Sequence, residues 1–341
     1  MRNILLLRLS SMGDVIITAP LLAYLRDRHS GCSITLVTGA DYAPLFADDP
    51  RLAHVEGIGA RDERLPSALY DATWDLAVDL QNSRRSRALL RGIDAVRKGR
   101  FDKLHWQRLL LLLFRCDTYG SRCGVAGRYI DAAAENPARE SVPPLRLYFR
   151  DSRRKKTQAR YLPPAGNIGR PLLALFPFSA WKNKEWPAEN YIAVARYFLI
   201  KGWMTVSFAG MADREKALIM ESQIGTRCLS LAGKLSLSEC GALLSDFSLA
   251  LGNDTGLSHL ARSCGVRTGI FFGPTTRHFG FFPWGDPAFK VFETPLSCRP
   301  CHAHGGNRCL RFTHACMRKI GTEQVITALE GLLEAPPNSV S

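Results

Sequence analysis

A polar loop between an apolar strand and a helix holds the residues best suited to chemistry in this 341-residue chain. It lies within Leu251–Ala261, where Asp254, Thr255 and Gly256 follow the apolar run Phe247–Leu251. The first N–H groups of a helix have no partner within the helix, and the helix dipole adds positive potential there. Small residues at this position let a ligand approach the backbone. Such a loop can bind a phosphate or a diphosphate. Because Asp and Thr are also ordinary caps, the alternative is that Asp254 only caps a structural helix.

A second polar loop, Arg8–Asp14, comes directly after the apolar run Arg2–Arg8. A carboxylate held at a glycine turn beside a cleft can accept a proton from a substrate hydroxyl, so Asp14 is a candidate general base. The alternative is again a helix cap. Pro20 lies where a long first helix would pass, which predicts that this helix is kinked or begins late.

A third loop, Phe178–Asn190, carries Lys182 and Lys184 in front of a helix that we expect from Pro187 to Ile200. The dipole disfavours cations at the start of a helix, so two lysines there suit a site that holds an anion between them and the protein. The alternative is a solvated loop with two exposed lysines.

Short apolar runs alternate with longer amphipathic stretches and must position these loops. This β-α-β pattern predicts an α/β fold with parallel sheets that are covered on both faces. Ligands of such sheets bind beyond the carboxyl ends of the strands, where the three loops begin. The predicted strands are Arg2–Arg8, Ser33–Thr38 and Asp75–Leu80 in the first half, and Leu172–Phe176, Met204–Phe208, Phe247–Leu251 and Thr268–Phe272 in the second.

The length predicts two domains, at roughly 150 residues each. A charged stretch, Asp151–Arg160, and the proline- and glycine-containing stretch 163–169 together indicate a linker. We therefore predict two doubly wound domains that face each other across a cleft. The first comprises residues 1–162 and the second 163–341, with the last helix packing back on the first domain.

Composition and charge narrow the class of protein. The chain is 46% hydrophobic and 22% charged, which is typical of a soluble globular protein. We find no apolar run near the roughly 20 residues of a membrane helix and no signal peptide, so we expect a cytoplasmic protein. Lysine and arginine exceed the acidic residues by 45 to 31, a net charge of +14 that favours anionic partners.

Much of the excess positive charge lies in one segment, Arg84–Arg115, which also contains Trp106 and the apolar run Leu109–Phe114. Basic residues beside tryptophan and leucines suit an element that lies on an anionic membrane surface. The alternative is a solvated helix with a buried leucine face. Binding to nucleic acid is less favoured, because no nucleic-acid-binding motif accompanies the charge. The basic residues of the segment are Arg84, Arg85, Arg87, Arg91, Arg97, Lys98, Arg100, Lys103, Arg108 and Arg115.

Five motifs together resemble glycosyltransferase family 9, the ADP-heptose:lipopolysaccharide heptosyltransferases and their relatives. They occur in the family's order from the first strand to the last quarter of the chain. The motifs are Leu7–Asp14, Trp74–Gln81, Lys184–Pro187, Asn253–Leu260 and Phe272–Thr275.

The resemblance implies a GT-B enzyme with two Rossmann-like domains that transfers a sugar with inversion and without a catalytic metal. Asp14 would be the general base on the acceptor hydroxyl, and Lys184 would stabilise the diphosphate leaving group. Asp213 would contact the ribose and Leu235 the adenine. The phosphates would be lined by Ser179, Thr255, Gly256 and Leu257, with Asp254 shaping their loop.

The resemblance also implies the substrates. We expect an ADP-sugar donor, ADP-heptose, and a lipid-anchored acceptor of the lipopolysaccharide inner core. The protein would attach peripherally to the inner face of the cytoplasmic membrane through Arg84–Arg115. Two departures from the family pattern, the added Trp181 and Lys182 and the heavy basic block, bear on the identity of donor and acceptor. The rival functions are an epimerase-like or non-catalytic nucleotide-sugar-binding protein and a nucleic-acid-binding protein, whose binding would depend steeply on salt.

The cysteines fall into two groups. Four are clustered with three histidines, and such a cluster can hold structural zinc or iron through four thiolates. A disulfide is the lesser alternative. The other six, Cys32, Cys116, Cys123, Cys228, Cys240 and Cys264, suit reduced thiols in a cytosolic protein. The clustered residues are Cys298, Cys301, Cys309 and Cys316, with His302, His304 and His314 among them.

Overall fold

The structure, a computed structural model, describes residues 1–120, 124–135, 142–162, 169–282 and 288–334. The chain divides into two compact units. Unit 1 is Met1–Trp106 with Tyr119–Tyr148, and unit 2 is Gln107–Thr118 with Phe149–Ser341. Unit 2 therefore takes two segments that the sequence assigns to the first domain. Most of the predicted linker stretch, residues 163–168, lies outside the described residues.

Unit 1 is built on a parallel sheet of five strands. Its order, β3-β2-β1-β4-β5, places β1 at the centre, and Ile4, Leu5, Leu6 and Leu7 of this strand are fully buried. Apolar side chains on both faces are what a central parallel strand needs, because helices cover both sides. The strands are β1 (Asn3–Arg8), β2 (Ser33–Gly39), β3 (His54–Ile58), β4 (Thr73–Asp79) and β5 (Asp94–Arg100). The helices are α1 (Met12–Ile16), α2 (Ala19–Arg28), α3 (Ser67–Asp71), α4 (Arg84–Leu89), α5 (His105–Phe114) and α6 (Val125–Ala133). Helix α5 begins in unit 1 and continues in unit 2.

Unit 2 repeats this plan with a parallel sheet of six strands in the order β11-β10-β9-β6-β7-β8. Its core joins the buried face of α8 to β6, β9 and β10 and to the last helix, α13, through Val325 and Leu329. The strands are β6 (Leu172–Phe176), β7 (Met204–Ser207), β8 (Cys228–Ser230), β9 (Leu249–Asn253), β10 (Arg267–Phe271) and β11 (Phe289–Phe292), and the helices are α7 (Asp151–Tyr161), α8 (Ala188–Ile200), α9 (Arg214–Ile224), α10 (Leu237–Leu244), α11 (Gly256–Ser263), α12 (Ala315–Arg318) and α13 (Thr322–Glu334).

The structure bears on four expectations about helices and the linker. The long first helix is divided into α1 and α2, and Pro20 lies in the first turn of α2, where its missing N–H costs nothing. The prediction of a linker over the charged stretch is wrong, because this stretch is helix α7, and Arg154 on it forms an ion pair of 2.5 Å with Asp246. Helix α13 packs within unit 2, and its predicted contact with the first domain stays a prediction. Among the described helices, none is long and apolar enough to span a bilayer.

Candidate active site

The sheet orders place the predicted sites at two equivalent positions. In unit 1 the strand order reverses between β1 and β4, and in unit 2 it reverses between β6 and β9. Ligands of open parallel sheets bind beyond the carboxyl ends of the strands at such a switch point. Asp14 follows β1, Lys184 follows β6 and Asp254 follows β9. The fold therefore brings the candidate residues of each unit to the position where a ligand is expected.

Asp14 lies in the first turn of α1, and Ser11 caps this helix. The Asp14 carboxylate accepts hydrogen bonds from the Ser11 N–H at 3.3 Å and the Ser11 hydroxyl at 2.8 Å, and the first of these is the predicted capping interaction. Asp14 has a second partner, because Arg8 Nη2 lies 2.7 Å from its other oxygen. About a sixth of the Asp14 side chain remains exposed at 16%. The carboxylate is thus fixed from two sides and still open to a substrate.

Arg8 is held firmly in turn. Its Nη1 donates a hydrogen bond of 2.6 Å to the carbonyl of Leu80, at the end of β4, and its guanidinium lies 5.7 Å from the ring centroid of Tyr129. Burial raises the pKa of Tyr129, so this hydroxyl stays protonated beside the Arg8–Asp14 pair. Arg8 lies within the first motif, but its role as the partner of Asp14 was not predicted.

The second candidate residue, Lys184, forms a buried ion pair with Asp254. Its Nζ lies 2.6 Å from Asp254 Oδ2 and 3.1 Å from the Asp254 carbonyl oxygen. The exposed fractions of the two side chains are 10% and 8%. An ammonium has three N–H donors, and these contacts account for two of them. Within the described ranges, one donor of Lys184 is therefore left for a ligand group.

Asp254 contacts side chains from two loops and from helix α11. Besides Lys184, its Oδ2 accepts a hydrogen bond of 3.0 Å from the Thr275 hydroxyl, and His259 Nε2 lies 3.7 Å from its Oδ1. Burial alone would raise the pKa of Asp254, but the charge of Lys184 and the neighbouring His259 outweigh it and hold this pKa well below its ordinary value. The N-cap of α11 is Thr255, so the alternative that Asp254 only caps the helix is wrong.

Asn253 fixes the geometry of the two loops that carry this pair. Its Oδ1 accepts hydrogen bonds from the Trp186 N–H at 2.9 Å and from the Tyr191 hydroxyl at 3.1 Å, and its Nδ2 donates to the Pro177 carbonyl at 2.9 Å. Asn253 is fully buried. It therefore ties the end of β9 to the chain on both sides of Lys184.

The start of α11 has the form expected of an anion site. Thr255 is the N-cap, and Gly256 and Leu257 begin the helix, half-buried. The Thr255 hydroxyl is buried and has no hydrogen-bond partner in the described part of the chain. Glycine is required two residues before Asp254, because a Cβ on Gly252 would lie 2.5 Å from the Ser258 Oγ. Close approach here lets Ser258 bond the carbonyl of Asn253 at 2.6 Å.

The remaining predicted donor residues lie on neighbouring loops of unit 2. Ser179 donates its N–H to Glu185 at 3.1 Å. Asp213 precedes α9, and Leu235 lies on the loop after β8. These two loops touch, because a Cβ on Gly233 would lie 2.9 Å from the Met211 sulfur. Contact of Asp213 with ribose and of Leu235 with adenine stays a prediction.

Two lysines near the predicted donor loops, Lys182 and Lys216, already have acidic partners. Lys182 Nζ lies 3.4 Å from Glu185, and Lys216 Nζ lies 2.7 Å from Asp213. The hydrogen bond with Asp213 raises the pKa of Lys216. About half of each lysine side chain is exposed, at 52% and 50%, so these pairs can open at little cost. Lys182 is thus exposed, as the alternative for this loop held, whereas Lys184 is buried.

The cysteine cluster does not assemble the predicted metal site. Cys298, Cys301, Cys309 and Cys316 are free thiols, so the disulfide alternative is absent as well. Across the residues that the structure describes, no group of three or more His, Cys, Asp or Glu side chains is arranged to hold a metal ion. Burial raises the pKa of Cys316 to about 11, whereas burial is outweighed at Cys309 by backbone N–H groups of His314 and its neighbours, which lower its pKa.

Comparisons with known proteins agree with this geometry. The family model described as "Glycosyltransferase family 9 (heptosyltransferase)" matches residues 63–307. Lipopolysaccharide heptosyltransferase 1 of Pseudomonas aeruginosa is 25% identical, over 98% of this chain and 99% of that protein. Among solved structures, ADP-heptose lps heptosyltransferase II of Escherichia coli has a TM-score of 0.78 at 19% identity, covering 98% of this chain and 99% of that one. The family 9 glycosyl transferase of Veillonella parvula has a TM-score of 0.77 at 23% identity, covering 98% and 97%.

The family match covers well over half of the chain, and the fold likeness extends over nearly all of it. The predicted GT-B fold with two Rossmann-like domains is confirmed. The predicted enzyme class is confirmed as well. The chain belongs to glycosyltransferase family 9, the heptosyltransferase family, and is a glycosyltransferase.

Proposed function

We propose that this protein transfers heptose from ADP-heptose to a lipid-anchored saccharide of the lipopolysaccharide inner core. In this reaction the Asp14 carboxylate takes the proton of the acceptor hydroxyl, and the acceptor oxygen attacks the anomeric carbon of the donor. The bond from that carbon to the diphosphate breaks with inversion, and ADP leaves with the electron pair. No metal or further cofactor is needed if Lys184 and the start of α11 stabilise the charge that grows on the diphosphate.

The observation that carries this proposal is the Lys184–Asp254 ion pair beside the start of α11. A fixed ammonium with a third N–H donor, next to the N–H groups that begin a helix, matches the needs of a leaving diphosphate. Lys182 and Lys216 can add charge, because a diphosphate would compete with Glu185 and Asp213 for them. The names of relatives, lipopolysaccharide heptosyltransferase 1 and ADP-heptose lps heptosyltransferase II, support heptose as the sugar and ADP as its carrier.

We predict that ADP stabilises the protein against heat and that UDP, GDP and CMP do so less. A ligand at a hundredfold excess over its dissociation constant adds about 2.7 kcal/mol, which a thermal scan detects. The matched variant is Thr255→Val. Because the Thr255 hydroxyl has no partner among the residues that the structure describes, its loss should leave the stability without nucleotide nearly unchanged and reduce the shift with ADP. Equal shifts with all four nucleotides, or none with any, would remove ADP-heptose as the donor.

We further propose that the protein is cytoplasmic and attaches to an anionic membrane through α5. This helix exposes Trp106, Leu109, Leu110, Leu113 and Phe114, and the spacing of these residues puts them on one helix face. The alternative with a buried leucine face is therefore wrong, since Leu111 is the buried leucine of this run. Arg108 and Arg115 lie on or beside the same helix. An apolar face with basic neighbours suits the interface of an anionic bilayer.

We predict that the protein sediments with phosphatidylglycerol-containing vesicles at low salt and not with pure phosphatidylcholine vesicles. Leu113→Glu with Phe114→Glu should abolish sedimentation, because both side chains are mostly exposed, at 62% and 71%. Reversal of charge at Arg108 and Arg115 should weaken it, and more so as salt falls and screening decreases. Ile200→Glu, at an apolar residue that is 85% exposed on α8, is the control and should sediment like the wild type. Equal sedimentation of the α5 variants and the control would contradict the proposal.

A further inference from the structure

The segment from Cys298 to Cys316, here called the cysteine segment, lies directly against the short turn Lys182–Lys184. The Asn183 N–H donates a hydrogen bond of 3.0 Å to the Gly306 carbonyl, and the Gly306 N–H donates one of 2.7 Å to Asn183 Oδ1. His314 Nε2 lies 2.8 Å from the Asn183 carbonyl oxygen. Because a carbonyl oxygen only accepts, Nε2 of His314 carries the proton. Every one of these contacts falls on the residue that precedes Lys184.

The cysteine segment packs so closely against Trp181 that there is no room for a side chain at Gly305. Gly305 has φ +112°, and a Cβ on it would lie 2.7 Å from the Trp181 Cβ. A Cβ on Gly306 would lie 2.8 Å from the His302 ring. Gly305 is therefore required for this contact, both for its missing Cβ and for its backbone conformation, whereas the space at Gly306 is limited by His302 of the same segment.

The bond from His314 fixes the orientation of Lys184 through a planar peptide. The Asn183 carbonyl and the Lys184 N–H belong to the same peptide unit, whose atoms lie in one plane. His314 holds the carbonyl end of this unit, and the Trp181 carbonyl accepts the N–H end at 2.9 Å. The plane from which the Lys184 side chain departs is thus held at both ends. His314 is itself anchored, since its N–H donates to Cys309 Sγ at 3.4 Å.

A second residue of the cysteine segment, Arg299, holds the loop that contacts Asp254. Arg299 donates from Nε to the Gly273 carbonyl at 2.5 Å and from Nη2 to the Thr275 carbonyl at 3.1 Å. Thr275 is the residue whose hydroxyl donates to Asp254 Oδ2. The segment therefore braces the loop of Lys184 through His314 and the loop after β10 through Arg299.

We propose that the cysteine segment positions the Lys184–Asp254 pair for donor binding and chemistry, with His314 and Arg299 as positioning residues. Neither touches the reacting atoms; each acts through the turn that it holds. The inference rests on the proposed function of Lys184 and extends it to a part of the chain that the metal hypothesis had treated as a separate structural site. Displacement of a catalytic group by about 1 Å can cost about 10²-fold in rate, so such a brace has a measurable effect.

The test compares His314→Asn with His314→Gln in the full-length protein. His314 has φ 50°, a conformation that asparagine tolerates, but the shorter asparagine amide should not reach the Asn183 carbonyl. The longer glutamine can place an N–H near the position of Nε2. Leu310→Ser, at an exposed residue of the same segment, is the control, and Gly305→Ala displaces the segment by a second route. The readouts are kcat, the KM values for ADP-heptose and an inner-core acceptor, and melting with and without ADP.

We expect kcat to fall about tenfold or more in His314→Asn and in Gly305→Ala, with the acceptor KM within about twofold of the wild type. His314→Gln should recover most of the loss, and Leu310→Ser should match the wild type. A folded His314→Asn with wild-type kcat, or a glutamine variant as slow as the asparagine variant, overturns the positioning role. A wild-type protein that neither binds ADP nor transfers heptose overturns the proposed function instead, so the two failures are distinguishable.

Discussion

Replacing Asp14 by asparagine is expected to lower kcat about 10²- to 10⁴-fold, the range for loss of a general base. Asparagine keeps the size of the side chain and an oxygen that can accept from Ser11, but it cannot take a proton from the acceptor hydroxyl. Stabilisation by ADP should survive, because the predicted donor loops belong to unit 2 and Asp14 to unit 1. Steady-state transfer from ADP-heptose and thermal scans with ADP measure the two effects separately.

The control for this change lies near the amino-terminal ends of the strands of the same sheet, opposite the end that carries Asp14. Asp75, near the start of β4, accepts a hydrogen bond of 3.0 Å from the Asn3 N–H, so Asp75→Asn makes the same chemical change far from the loops that follow the strands. It should leave kcat close to the wild-type value. A fall in kcat that is equal in both variants, or an Asp14→Asn enzyme with more than about a tenth of the wild-type kcat, would remove Asp14 as the base.

The sequence was sufficient for the parts of the fold that depend on strongly apolar strands. β1, β6 and β9 are buried on both faces, which made them recognisable as strands. Each polar loop follows one of these strands, so its position at the carboxyl end of the sheet could be predicted. The switch points then follow from topology. The start of α8 was predicted to within one residue, since the helix begins at Ala188 and Pro187 is its N-cap.

Strands with exposed or charged faces were missed. β5 lies at the edge of its sheet, and its residues alternate between exposed and half-buried, with Arg97, Lys98 and Arg100 among them. Charge within an edge strand protects it from pairing with another chain, but it also hides the strand among basic residues. β3 has the same position at the opposite edge and a similarly exposed pattern. In both cases the sheet, rather than local propensity, decides the conformation.

The partners of the site residues were harder to predict than the residues themselves. Lys184 and Asp254 are 70 residues apart, and each was predicted near a phosphate, yet their direct contact depends on the adjacency of β6 and β9. Arg8, Thr275 and Asn253 all lie within the five motifs, so their presence was visible and only their contacts were not. The ion pair also changes the electrostatics, because Asp254 compensates the charge of Lys184 in place. Lys184 then serves the diphosphate as a hydrogen-bond donor, and the net positive potential comes from the start of α11 and from opening of the exposed lysine pairs.

Replacing Lys184 by methionine is expected to reduce the free energy of unfolding by about 3–5 kcal/mol near neutral pH, besides abolishing the shift with ADP. Methionine fills much of the same space but leaves Asp254 as a buried carboxylate without its ammonium. The matched variant is Lys184→Met combined with Asp254→Asn, in which no buried charge is left unpaired. It should recover most of the lost stability and none of the lost transfer, because the donor to the diphosphate is still missing. Denaturant unfolding and steady-state transfer measure these effects independently.

The loss of unfolding free energy in Lys184→Met is expected to depend on pH. In the folded wild type the pKa of Asp254 is held below its ordinary value, so the contribution of the pair is full above that ordinary value and is lost as the pH falls through the lower one. In Lys184→Met, burial without the ammonium raises the pKa of Asp254, so stability is lost as the pH rises from the ordinary value through the raised one. The difference in unfolding free energy between the two proteins should therefore be largest at neutral pH and shrink toward acid pH. A difference that is constant between about pH 4 and pH 7 would mean that Lys184 contributes through packing, with no ion pair to Asp254.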